Sequence, residues 1–251
     1  MLDNLIIDLV AWMQATLSGE VLSLVMFLFS LLFMMAFLRL GKSGLVGYVV
    51  IGIVLSNVQV LYLAKFSYLD EPIALGTVIF TSIFLANDII NEHFGIESVK
   101  KTIWISFLGQ VFVTFMMVLT LGHKGYDDPE ALQSQQAISV IFTPTLRILV
   151  ASLCAYVSGQ WIDMIIFHKL KILTKGKKLW LRCQISMLFS GLIDNIVFSV
   201  IAWVILNPQP ISYKVLLVTY IGSSQFFRVM QIFLSVPAMY VSYRVLGKKY
   251  V

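Results

Sequence analysis

The chain has 251 residues, 59% of them hydrophobic and 12% charged, with a formal net charge of +5. Mean hydropathy is +0.90, and soluble domains carry about 25% charged residues, so this composition excludes an ordinary soluble fold. Apolar stretches too long for strands of one soluble core recur from Val21 onward, and the short loops between them leave no room for a separate soluble domain. The positive charge therefore reads as a topology signal and not as a nucleic-acid footprint.

Residues 1–20 carry Leu2, Leu5, Ile6, Leu9, Val10 and Met13 at helical spacing, interrupted by Asp3 and Asp8. This pattern predicts a short amphipathic helix lying at the membrane interface. The segment has no Lys or Arg, so it does not read as a leader peptide. Seven spans are predicted after it, over residues 21–39, 44–64, 72–91, 102–121, 138–167, 184–206 and 213–243. The fold expected is an all-α polytopic membrane helix bundle of about seven transmembrane helices.

Basic residues orient the bundle. The loops after the first, third and fifth spans and the C-terminal tail hold Arg39, Lys42, Lys100, Lys101, Lys169, Lys171, Lys175, Lys177, Lys178, Arg182, Arg244, Lys248 and Lys249. The opposite side holds Lys65, Lys124 and Lys214, while Arg147 and Arg228 fall inside spans. The positive-inside rule places the C-terminus in the cytoplasm and the N-terminus outside.

Polar groups inside the spans are the functional signal, because a charge facing lipid costs about 2.5–3.5 kcal/mol on insertion scales. The second span carries Asn57 and Gln59, and the third ends in Asn87, Asp88, Asn91 and Glu92. The fifth carries Arg147, Gln160 and Asp163, the sixth Asp194 and Asn195, and the seventh Gln225, Arg228 and Gln231. Asp194 and Arg228 lie at comparable depth on antiparallel neighbours and are expected to pair, either to hold the bundle or to meet a ligand. Asp88 and Asp163 lie nearer the cytoplasmic ends, where a ligand contact and a headgroup contact both fit. Arg147 follows Pro144 near the outer end, as an interfacial anchor or a ligand contact. Asn57 serves equally as helix–helix glue. A short echo links SGQWIDM from Ser158 with SGLIDNI from Ser190.

No catalytic or metal signature accompanies these groups. His93, His123 and His168 form no metal-ligand spacing, and Cys154 and Cys183 form no disulfide framework. The GKSG at Gly41–Gly44 lacks the rest of a phosphate-binding loop. No enzyme, cofactor or metal is expected.

Between Gly44 and Tyr243 the chain resembles the bacterial queuosine-precursor transporters, also called the vitamin uptake transporter family. The resemblance rests on Ser56-Asn57, FLANDIINEHFG from Phe84, the stretch Leu146–Phe167, and SGLIDNIVFSVIAW from Ser190. Asn87 and Asn195 stand where the family often has a small polar residue and a threonine. The resemblance implies a six-helix core over residues 44–251 with a cytoplasmic tail, preceded by one additional helix and loop over 21–43. It implies uptake of a 7-deazaguanine base (pre-Q0, pre-Q1 or queuine) across the bacterial inner membrane for tRNA modification. Substrate contacts are then expected among Asp194, Asp88, Asp163, Arg147, Arg228, Asn57, Asn87, Asn195, Gln160 and Trp161, with Phe84 as a further stacking ring. Membrane lipids are the other expected partners. A second copy or an energy-coupling partner stays open. The alternative function is the substrate-binding membrane subunit of an ATP-driven vitamin or nucleobase importer.

Overall fold

Long apolar side chains cover the outside of this bundle and polar ones fill much of its inside. In a computed structural model the protein is described over residues 2–67, 73–142 and 145–247. Phe29, Leu32, Phe33, Phe112, Phe115, Phe189 and Phe233 are all more than half exposed, while Asn87, Asp88, Asn91, Gln160, Asp163 and Asp194 are buried. Water would not tolerate that distribution, and lipid requires it.

The amphipathic segment forms α1 (Leu2–Thr16), whose Leu5, Ile6, Leu9 and Trp12 remain exposed. Next comes α2 (Gly19–Leu38), capped by Ser18, which accepts the Val21 backbone N–H. Its buried face is Ser23, Phe27, Leu31, Met34 and Leu38, a single helical stripe that packs on α3 (Gly41–Gln59) and α4 (Gly76–Phe94). Tyr48 fastens the three helices. Its hydroxyl donates to the Ser30 carbonyl at 3.1 Å and bonds the Ser82 hydroxyl at 2.6 Å.

The span predicted over 44–64 ends early, at Gln59. An antiparallel strand pair follows, β1 (Leu63–Ala64) with β2 (Ile73–Ala74), and β2 leads into α4. Two-residue strands carry no periodicity that a sequence reading can find.

Helix α4 is the axis of the fold. It packs against α2, α3, α5 (Ile96–Leu121), α7 (Thr145–Leu173), α8 (Leu179–Val200) and α10 (Ser223–Leu246). Every residue from Thr81 to Asn91 is buried. Among the described residues six helices are long and apolar enough to cross a membrane, and α4 is not one of them. The third predicted span, over 72–91, is this protein-sheathed helix, which carries Asn87, Asp88 and Asn91 inside the bundle. Helices surround it, so its Asn and Asp side chains never meet lipid.

The span predicted over 138–167 covers parts of two described helices. A separate helix α6 (Pro129–Phe142) precedes α7, which starts at Thr145 and runs to Leu173. Two π-helical stretches, Ile201–Ile205 after α8 and Leu216–Gly222 after the single turn α9 (Tyr213–Val215), interrupt the last two long helices. Such wide turns frequently mark functional positions.

Candidate functional site

Helices α4, α7 and α8 meet at two levels, one helical turn apart. The first level contains Phe84 of α4, Gly159 of α7 and Asp194 of α8. Gly159 permits the contact: a Cβ there would lie 2.9 Å from Asp194 Cβ and 3.3 Å from Phe84 Cζ. From α10, Arg228 Nη2 donates to Asp194 Oδ2 at 2.9 Å and Nη1 donates to the Gly191 carbonyl at 2.6 Å. The guanidinium carbon lies 5.9 Å from the Phe84 ring centroid. Gly191 must lack a side chain, because a Cβ would come within 2.7 Å of Arg228 Cδ. Asn195 Nδ2 donates to the Ile221 carbonyl at 3.0 Å, tying α8 to the π-helical stretch before α10.

Asp194 and Arg228 line a cavity of about 250 Å³. Its polar lining adds Thr77, Ser152, Asn195, Ser199 and Ser224, and its aromatic walls are Phe80, Phe198, Trp203 and Tyr220. Trp203 and Tyr220 sit on the two π-helical stretches with ring centroids 5.2 Å apart. Leu63 on β1 is exposed at the rim, so the cavity lies toward the strand-pair end, away from the α7–α8 loop. The arrangement offers one carboxylate, one guanidinium, amides and hydroxyls between rings. That combination suits a flat, partly polar heterocycle.

The second level contains Asp88 of α4 and Asp163 of α7, both buried and held by serines one turn apart on α8. Ser186 Oγ donates to Asp88 Oδ2 at 3.2 Å and Ser190 Oγ to Asp163 Oδ1 at 2.9 Å. Beside them Asn87 Nδ2 donates to Gln160 Oε1 at 2.6 Å, and Asn91 Nδ2 donates to the Met164 carbonyl at 3.2 Å. A headgroup position for either aspartate is overturned, because both are about 1% exposed.

At the α7–α8 loop end, Glu92 collects a saturated cluster. Arg182 grips it through Nη1 at 3.0 Å and Nη2 at 3.1 Å, and Lys171 Nζ lies 3.1 Å from Oε2. The Tyr243 hydroxyl donates to Oε1 at 2.5 Å. Arg182 is fully buried, with its guanidinium over the Phe167 ring at 5.2 Å. Two of the six basic residues between Lys169 and Arg182, Lys171 and Arg182 itself, therefore bind Glu92 of the bundle.

Of the predicted site residues, the structure brings Asp194, Asn195 and Arg228 to the cavity. Asp88, Asp163, Asn87 and Gln160 gather beneath it. Asn57 is elsewhere: its Nδ2 bonds its own helix at the Ile53 carbonyl, and it lines a separate small cavity with Gln110. Trp161 packs half-buried against the core and does not line the main cavity. Arg147 stands in the first turn of α7, and its side chain lies outside the described residues. Sequence reasoning missed Ser186, Ser190, Trp203 and Tyr220. The SG of the internal echo was the available signal for Ser190. Its two copies pack together, with Ser190 on Asp163 and Gly159 on Asp194. Among the described residues no group of three or more His, Cys, Asp or Glu is placed to hold a metal ion.

A family model described as "Putative vitamin uptake transporter" matches residues 74–242. The chain is similar to a protein of Bacillus subtilis named "Probable queuosine precursor transporter", with 28% identity over 200 residues, 79% of this chain and 84% of that one. It is similar to a protein of the same name from Haemophilus influenzae, 31% identical over 128 residues, 51% of each chain. A "Queuosine precursor transporter" of Escherichia coli is 27% identical over 128 residues, 51% of this chain and 54% of that one. The matches to these last two span about half of those relatives' own lengths. No solved structure matches the chain.

Proposed function

We propose, from the premise that this chain belongs to the vitamin uptake transporter family, that it imports queuosine precursors of the 7-deazaguanine class and that the Asp194–Arg228 cavity is where the base binds. It is a polytopic membrane transporter and not an enzyme. In this reading α4 counts as the seventh span, the N-terminus lies outside and the C-terminus in the cytoplasm. The additional N-terminal helix α2 precedes a six-helix core, and the membrane is the bacterial inner membrane. The mechanism is secondary or facilitative.

The observation that carries the proposal is a buried carboxylate paired with an arginine in the lining of an aromatic-walled cavity. A 7-deazaguanine presents a ring N–H and an exocyclic amine side by side. One carboxylate accepts both, and charge-assisted hydrogen bonds of this kind are roughly twice as strong as neutral ones. Asp194 takes this role. Asn195 and Ser199 stand nearby for the keto oxygen and pyrrole N–H, and Trp203 or Tyr220 offers a face for stacking. Arg228 neutralises Asp194 while the cavity is empty and keeps the Gly191 carbonyl and the Phe84 ring when a base takes the carboxylate. With the cytoplasmic end closed around Glu92 and the cavity near the outer end, this arrangement corresponds to a state that receives substrate from outside.

The test is binding and liposome uptake of labelled 7-cyano-7-deazaguanine by the wild type and by Asp194→Asn combined with Arg228→Gln. Removing both charges avoids an unpaired buried ion, so the double variant is expected to fold. It should fail to bind the base. Normal transport by the double variant sinks the proposal, and uptake by the lone wild-type protein excludes the ATP-driven alternative.

A further inference from the structure

Asp88 and Asp163 lie outside the cavity, and their surroundings differ from those of Asp194. Asp194 has Arg228 beside it. Neither Asp88 nor Asp163 takes part in an ion pair found among the described residues. The groups hydrogen-bonded to them are the hydroxyls of Ser186 and Ser190, and the Cys183 thiol lies beside Asp88.

Among the described residues the surrounding elements supply no free cation. On α4, Asn87 and Asn91 direct their amide N–H groups to Gln160 and to the Met164 carbonyl. On α10, the Ser235 hydroxyl donates to the Ile232 carbonyl and the Met187 sulfur. Arg182 on α8 and Arg228 on α10 are each held by another carboxylate. Asp88 Oδ1 is buried without a hydrogen-bond partner. Two buried carboxylates held by serines one turn apart on α8, with no cation beside them among the described residues, cannot both stay ionised in a membrane interior. A proton held between them gives Asp88 Oδ1 its partner and removes one charge.

We infer that Asp88 and Asp163 form a proton-binding site whose occupancy is coupled to the cavity one turn away. The coupling half rests on the transport reading above; the proton site does not. The geometry of coupling is explicit. Phe84 and Asp88 on α4, Gly159 and Asp163 on α7, and Asp194 and Ser190 on α8 are each four residues apart, so three helices carry both levels. Ser190 joins them directly. Its hydroxyl serves Asp163, its backbone lies against Gly159, and the carbonyl of the next residue, Gly191, holds Arg228. A base that draws Asp194 away from Arg228 shifts this segment of α8, and Ser190 transmits the shift to the carboxyl pair. One proton then moves inward with each substrate.

The proton site is tested without substrate. The purified full chain in lipid is titrated and followed by infrared difference spectroscopy. The wild type should show a protonated-carboxyl stretch that Asp88→Asn and Asp163→Asn each remove. Asparagine has the shape of a protonated aspartate, so both variants are expected to keep their helical circular dichroism. No such band in the wild type, or the same band in both variants, overturns the site. For coupling, liposomes take up labelled 7-cyano-7-deazaguanine under an acid-outside gradient. One proton per base gives about tenfold accumulation per pH unit, abolished by a protonophore. Asp163→Asn should still exchange labelled for unlabelled base yet accumulate none. Accumulation driven by sodium and indifferent to pH, or full accumulation by Asp163→Asn, overturns the coupling. If the wild type neither binds nor carries the base while the variants lose the infrared band, the substrate reading has failed and the proton site is upheld.

Discussion

The charge-paired centres at Glu92 and Asp194 lie about two helical turns apart along α4 and are built on opposite principles. Around Glu92 every charge is satisfied several times over: Arg182 grips both carboxylate oxygens, Lys171 and Tyr243 add to them, and no cavity adjoins them among those described. Around Asp194 a single arginine supplies the counter-charge and a cavity opens alongside, while the buried Nε atoms of Arg182 and Arg228 alike find no hydrogen-bond partner. A saturated cluster closes helices together. An undersaturated one leaves a carboxylate that a ligand can claim. Burial and charge alone do not separate structure from function here, whereas the number of partners and the adjoining space do.

That contrast is broken most directly at the saturated centre. Glu92→Gln leaves Arg182 buried beside a neutral amide, and breaking a buried pair from one side costs about 3–5 kcal/mol. Thermal unfolding in detergent should show a loss of that size. Lys171 is partly exposed, so Lys171→Gln should cost below about 1 kcal/mol. Equal losses from both substitutions would refute the picture of a cluster centred on Glu92 and Arg182.

An intermediate effect is expected where the packing beside the cavity is tightest. Gly159→Ala drives a methyl group into Asp194 and Phe84, and overpacking of this kind costs about 1–3 kcal/mol. Base binding should weaken more than stability does, because the carboxylate itself is displaced. Unchanged binding of the labelled base by Gly159→Ala would show that this packing does not set its geometry.

The smallest stability effect belongs to the loop between α7 and α8. Lys175, Lys177 and Lys178 are exposed, so replacing all three by Gln should shift unfolding by less than about 0.5 kcal/mol each. A C-terminal reporter should nevertheless reveal more misoriented molecules, since these residues carry much of the positive-inside bias. Arg182, four residues further on, should behave as part of the folded interior.

The same loop shows how far the chain was legible. As a sequence, Arg182 is one more cytoplasmic basic residue; only the fold shows its guanidinium buried on Glu92. The pairing of Asp194 with Arg228 was readable, because two charges in adjacent antiparallel spans at similar depth have few other partners. The strand pair and the two π-helical stretches were not, since each breaks a periodicity instead of extending one.

Composition and hydropathy determined by themselves that this is a helical membrane protein, because unsatisfied backbone groups cannot survive in lipid and long apolar runs have no other stable use. Local motifs likewise determined which polar side chains must turn inward. What only the tertiary structure decided is how those side chains are divided. Six helices packed around α4 place Asp194 beside a cavity, Asp88 and Asp163 on serines one turn apart, and Asn57 apart from both. The reason is physical: cost of exposure to lipid drives every polar group inward alike, while the partner each one meets depends on helix rotation and neighbour order, which hydropathy does not encode.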